Sequence, residues 1–199
     1  MTTTTKKMFV ETEPESPLSM NPKKFALWLF LMSVMMLFAA FSSAFIVKKG
    51  QGNWVEFPIP NILWVSTVVL VLSSVTMQWA FSAAKKDEFQ KLKLALGITF
   101  ILGVIFLVAQ FQAWEELYQT GIYFGGSKSH PSGSYLYVFT GLHGVHLISG
   151  VIFLFVLLIS SFNYKIHSKN MLSIEMCATY WHFLDGLWIY LFVFLLLNH

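Results

Sequence analysis

Six side chains could do chemistry in an otherwise apolar sequence: His143, His146, His182 and Asp185, with Glu115 and Glu175 nearer the ends of hydrophobic runs. His143 and His146 belong to Thr140-Gly-Leu-His-Gly-Val-His-Leu-Ile-Ser-Gly150, inside an apolar run from about 134 to 162. At helical pitch His143, His146 and Gly150 share one stripe, with Gly141 and Gly144 beside it. A charge at bilayer depth costs roughly 2.5–3.5 kcal/mol, so ionisable groups there face protein or trapped water. Glycines in turn let another backbone come close. This segment therefore reads as the central helix, packed on several sides, with Gly141, Gly144 and Gly150 as its packing surface.

Three chemistries compete for these residues. At about 1.5 Å per residue His146 and His182 fall near mid-bilayer, where antiparallel neighbours could ligate one iron between them. A two-haem cytochrome would want four deep histidines, and zinc would want a third or fourth ligand at the same level. A hydrogen-bonded helix bundle asks for neither, and the spacing favours it. Trp181, Asp185 and Trp188 lie on one face, with His182 about 60 degrees round from Asp185. A His and an Asp one turn apart can share a proton or a hydrogen bond, which lowers the cost of burying either. Glu115 and Glu175 sit about a turn from the interface, where a carboxylate can snorkel or stay wet. A small transporter would show internal repeats and broken helices; no repeat is evident, and no proline interrupts a span.

The elements that must position these groups follow from hydropathy. Of the 199 residues 56% are hydrophobic and only 12% charged, with 20 Phe and 7 Trp, about half the charge of a soluble domain. Long apolar runs predict an all-α integral membrane bundle of five helices, over about 25–47, 61–84, 93–117, 134–162 and 174–197. Residues 1–24 read as a polar tail without the pattern of a signal peptide, and 25–199 as one membrane domain. Ser66, Thr67, Ser73, Ser74 and Thr76 in the second span read as structural hydroxyls, satisfied on helix carbonyls or across helices. The Gly-rich stretch 118–133 reads as a flexible or folded-back surface loop. All 13 basic residues are lysines, and they lie in loops, which argues against nucleic acid as a partner. Ten of them (Lys6, Lys7, Lys23, Lys24, Lys85, Lys86, Lys91, Lys93, Lys165, Lys169) fall on the side of the N-terminus and three (Lys48, Lys49, Lys128) on the other. The positive-inside bias then places the N-terminus in the cytoplasm and the C-terminus in the periplasm. Cys177 is the only cysteine, so intrachain disulfides are excluded.

Thr140–Gly150 resembles the Leu-His-Gly-x-His-x-x-x-Gly stretch of subunit III of the haem–copper oxidases. Tyr180-Trp-His-Phe-Leu-Asp-Gly-Leu-Trp188 resembles that family's signature near the C-terminus. Gln112-Ala-Trp-Glu115 is similar to its Gln-x-x-Glu, and Glu175 matches an acid ahead of the last signature. The chain departs from the family at Val34, where an acid is often found. The resemblance is to the five-helix bacterial form, and it implies a non-redox subunit of a proton-pumping terminal oxidase in the bacterial inner membrane. It implies no catalytic, metal or cofactor-binding residue in this chain. Haem and copper are expected in partner subunits I and II, with subunit I the main contact, a possible small subunit IV, bound phospholipid, and possible membership of a respiratory supercomplex. Gln112, Glu115, His143, His146, Glu175, Trp181, His182, Asp185 and Trp188 are the implied polar-network or lipid-contacting residues. Among them, His143, His146, Glu115, His182 and Asp185 would form one buried network, so Asp185→Leu would destabilise the subunit. Cytochrome c is the expected electron donor of the complex. The alternatives are a quinol oxidase or nitric oxide reductase-associated subunit of the same family, or a haem- or metal-binding membrane protein, or a small transporter.

Overall fold

A computed structural model describes residues 21–52, 54, 60–126, 129–162 and 171–198. The polar tail up to Met20, and Pro58, Lys128, Lys165, His167 and Lys169 of the loops, lie outside the described residues. Five α-helices account for most of the rest: α1 (Pro22–Gly50), α2 (Ile62–Lys85), α3 (Phe89–Gln119), α4 (Pro131–Phe162) and α5 (Leu172–Asn198). Each is long and apolar enough to cross a membrane. The five predicted spans are all present; α1, α3 and α5 run past both predicted ends, α4 starts three residues earlier, and α2 is shifted by one residue. Hydropathy marks where the chain becomes polar, whereas helical hydrogen bonding continues into the interface until a cap stops it.

The stops are local. The Asn21 side chain accepts from the Lys23 amide at 3.0 Å and Pro22 follows it, so α1 starts on a cap and a residue that needs no amide partner. Between α2 and α3, Glu88 N donates to Ala83 O at 3.0 Å, with Asp87 in the left-handed region at φ 53°. Aspartate tolerates that conformation better than most residues, so three residues suffice to reverse the chain. At the end of α3, Ile122 N returns to Leu117 O at 3.0 Å across Gly121 at φ 85°, a glycine-capped helix end.

Helices α2, α3, α4 and α5 form a closed ring in which each packs on the next, and α1 lies against the seam of α4 and α5. The α2–α3 interface is built from small buried residues, Ser66, Ser73, Ala80, Ala84, Ala95 and Thr99, which let the backbones approach. Helix α1 is tied to α5 at both ends. Lys24 pairs with Glu175 at 2.8 Å, and Lys49 Nζ donates to Asn198 O at 2.9 Å.

The central helix is α5, not α4. Half of the membrane-length window of α5 is buried, against 28% for α4. The reason lies in the side chains. Helix α5 carries Tyr180, Trp181, Leu184, Trp188 and Leu191 inward, whereas α4 turns Val145, Ile148, Ile152 and Val156 outward.

Candidate functional site: the polar and aromatic core

Trp181 is the residue on which the bundle converges. It is fully buried, and its Nε1 donates to Ser73 Oγ of α2 at 3.1 Å. A methyl group placed at Gly103 of α3 would lie 2.8 Å from its ring, and one at Gly150 of α4 would lie 3.5 Å away. One indole thus touches all three other helices of the ring. One turn-pair further along, Trp188 Nε1 donates to Thr67 Oγ1 at 3.0 Å, and its ring meets Phe106 edge-on at 5.0 Å.

The hydroxyls of α2 serve both purposes open to them in the sequence. Ser66 and Thr67 each donate to Leu63 O, and Ser73 donates to Leu70 O. The same oxygens accept from Gln110, Trp188 and Trp181 respectively. Ser74 Oγ lies 2.7 Å from His182 Nδ1, and Thr76 Oγ1 lies 2.8 Å from Thr99 Oγ1. A hydroxyl that donates to its own helix keeps lone pairs for a neighbour, so α2 offers acceptors to α3 and α5 at no cost in unpaired donors.

The histidines separate. His143 is fully buried, with its ring between Phe106 at 5.9 Å and Trp188 at 5.0 Å, and neither nitrogen has a partner among the described residues. His146 Nδ1 is bonded to Leu142 O of its own helix at 2.7 Å, and the ring packs on Phe30 and Phe38 of α1. His182 faces α2, held by Ser74 and by Gln78 Oε1 at 3.3 Å. Beside His146, Tyr180 joins α5 to α4 through Ser149 Oγ at 2.6 Å and His146 O at 3.1 Å.

Asp185 is buried, and neither carboxyl oxygen makes a hydrogen bond among the described residues. Ser74 is near enough to influence it, but the Ser74 hydroxyl has its well-formed bond to His182. Glu115 and Gln112 are exposed on α3. The expected single network of His143, His146, Glu115, His182 and Asp185 is therefore corrected. The way α3 is turned in the ring puts Glu115 outside the bundle, and the other four point to different neighbours. Glu175 stands in the first turn of α5, in its pair with Lys24. Val34 is buried among Phe38, Leu187 and Leu191, an apolar place for the position where the family often carries an acid.

Of the three glycines expected to pack, Gly150 does so: an added methyl would lie 3.1 Å from Leu184 Cδ1. At Gly141 the approach is ordinary, 3.8 Å from Trp114, and at Gly144 nothing lies within 4 Å. Gly103 of α3 makes a closer approach than any of these three, with an added methyl 2.8 Å from the Trp181 ring. Gly150→Leu is expected to lower stability in mixed detergent micelles by about 2 kcal/mol through overpacking. Gly144→Ala is expected to be neutral or to stabilise by up to about 1 kcal/mol, since alanine is the better helix former. Denaturation midpoints followed by circular dichroism check both, and equal losses would refute the assignment.

Among the described residues no group of three or more His, Cys, Asp or Glu side chains converges to hold a metal. The fold and its core thus define a multi-pass membrane protein whose deep polar residues join helices to one another. Residues 16–198 match the family model described as cytochrome c oxidase subunit III. The chain belongs to the cytochrome c oxidase subunit III family, the subunit III of terminal oxidases. It is 33% identical over 186 residues to a probable cytochrome c oxidase subunit 3 of Rickettsia bellii, covering 83% of this chain and 65% of that protein. It is 29% identical over 196 residues to cytochrome c oxidase subunit 3 of Bacillus sp. (strain PS3), covering 94% and 93%. Subunit 3 of the cytochrome bo(3) ubiquinol oxidase of Buchnera aphidicola is 30% identical over 182 residues, covering 89% and 95%. The chain thus spans about two thirds of the length of the Rickettsia relative and nearly all of the Bacillus one.

Proposed function

We propose that this chain is a non-redox subunit of a proton-pumping bacterial oxidase that takes electrons from cytochrome c, and that it stabilises subunit I and binds lipid. The observation that carries the reading is the match along nearly the whole chain, 16–198, to a family of oxidase subunits. The engagement of the core side chains with one another supports a scaffolding role: Trp181, Trp188, Tyr180 and His182 all spend their polar atoms on neighbouring helices. Haem and copper then belong to partner subunits I and II. The lysine bias supports a cytoplasmic N-terminus and a periplasmic C-terminus in the inner membrane.

For the partner's transmembrane helix we assign the groove over α5 beside α1. Its volume is about 520 Å³, and its lining includes Met35, Ala39, His182, Gly186 and Tyr190. Gly186 is open, with nothing within 4 Å of an added methyl, and the half-buried His182 and exposed Gln78 stand beside it. Polar groups on a lipid-facing surface are costly and favour protein cover.

Tagged protein drawn from native membranes in mild detergent tests both statements. The expected result is co-purification with a large haem- and copper-containing subunit, read by reduced-minus-oxidised spectra and mass spectrometry, with no haem retained on this chain after separation. Gly186→Trp, which fills the groove without disturbing the bundle, is expected to cut recovery of that subunit at least about fivefold, an order-of-magnitude estimate for blocking a packed helix site. Purification alone and colourless would overturn the oxidase reading. Full recovery with Gly186→Trp would overturn the groove.

A further inference from the structure

At the α3–α4 end of the bundle, five aromatic side chains and one carboxylate surround an open hollow. Trp114, Glu115, Tyr118, Tyr123, Phe124 and Tyr137 line a space of about 540 Å³. The walls are fixed in place rather than loosely gathered. Trp114 Nε1 donates to Thr140 Oγ1 at 2.9 Å, and the Tyr137 hydroxyl reaches the carbonyls of both Trp114 and Ile122. Ser134 Oγ holds the carbonyl of Phe124 at 2.7 Å, so the segment after α3 folds back onto the start of α4. Gly133 allows this: a methyl there would lie 2.5 Å from Ile122 Cγ2. Tyr118 and Tyr123 meet edge-on at 5.2 Å, as do Phe124 and Tyr137 at 6.0 Å.

Aromatic faces carry negative potential and attract cations, most strongly when several surround one site. Glu115 adds a carboxylate at the rim and is exposed. The pattern fits an alkylammonium group, not an anion. Its position selects among alkylammonium sources. Below Glu115, Phe111, Val108, Ile105 and Ile101 follow at helical spacing and are 61%, 51%, 45% and 58% exposed. They form a continuous apolar lane along α3 from the hollow into the membrane. A headgroup in the hollow would lie directly above an acyl chain on the lane, which is where amphipathic ring belts meet lipid.

We propose that this hollow holds the ammonium headgroup of a zwitterionic phospholipid, with one acyl chain on the lane of α3. The site gives the lipid-binding part of the proposed function a location and a headgroup class. It can fail separately from that reading, because losing it leaves co-purification with the redox subunit untouched.

Full-length chain in mild detergent, titrated with dioleoyl phosphatidylethanolamine or dioleoyl phosphatidylglycerol and read by native mass spectrometry, tests it. The expected result is retention of the ethanolamine lipid over the glycerol lipid by about fivefold, the scale of a partly desolvated cation–aromatic site. Glu115→Gln, which breaks no bond among the described residues, is expected to bring the ratio close to one. Glu116→Gln, with the same change of net charge on the same exposed turn, is expected to leave it intact. Equal retention of the two lipids, or an unchanged ratio in Glu115→Gln, would overturn the proposal. So would an unchanged ratio accompanied by loss of a co-purifying protein from Glu115→Gln, since a partner's lysine or arginine would then be the occupant.

Discussion

Trp181→Ala is expected to be the most damaging single substitution in the bundle, lowering stability by about 3 kcal/mol. Its ring fills the space where α2, α3 and α4 come closest to α5, against Ser73, Gly103 and Gly150. Removing it opens a cavity that these helices cannot close, because the facing residues are already a serine and two glycines. In a bilayer part of the usual transfer term is absent, since lipid is as apolar as the core, so the lost packing dominates and the value falls at the low end for a buried tryptophan. Trp181→Phe keeps most of the ring and loses only the donor to Ser73; about 1 kcal/mol is expected there. Reversible unfolding in mixed micelles, followed by helicity, measures both. A loss below about 1 kcal/mol in the alanine variant would show that the bundle does not depend on this contact.

Asp185→Leu is expected to raise the stability of the isolated chain by about 1–2 kcal/mol. A network reading predicts the opposite sign. The difference rests on satisfaction: a buried polar group with partners stabilises, whereas one without them carries its desolvation cost alone. Both Asp185 oxygens lack hydrogen-bond partners among the described residues, while the Ser74 hydroxyl is bonded to His182. Leucine keeps the branch at Cγ and needs no partner, and its bulkier methyl groups limit the gain. Asp185→Asn should fall between leucine and the parent. The same unfolding assay decides, and a destabilised leucine variant would restore the network.

Much of this architecture was legible in one dimension. Five runs of apolar residues gave five helices. The indoles of Trp181 and Trp188 and the stripe of His143, His146 and Gly150 were each placed on a helix face by pitch alone, and the hydroxyls of α2 were read as structural. The two motifs around His143 and His182 pointed to the family that the full-length comparison then showed. Their order along the chain carried that information without any contact being known.

Which neighbour each face meets was decided only in three dimensions. Hydropathy in a membrane does not separate core from lipid-facing surface, because both are apolar, so the sequence placed α4 at the centre and the structure places α5 there. A glycine records only that a side chain is absent. Whether that space is used depends on what stands opposite, and Gly103 has Trp181 while Gly144 has nothing. Helical phase fixes the angle of Glu115 on α3 but not the direction in which α3 itself is turned. The ring of four helices orients it, and puts that carboxylate at the aromatic hollow beside Trp114 and Tyr118 rather than beside the histidines.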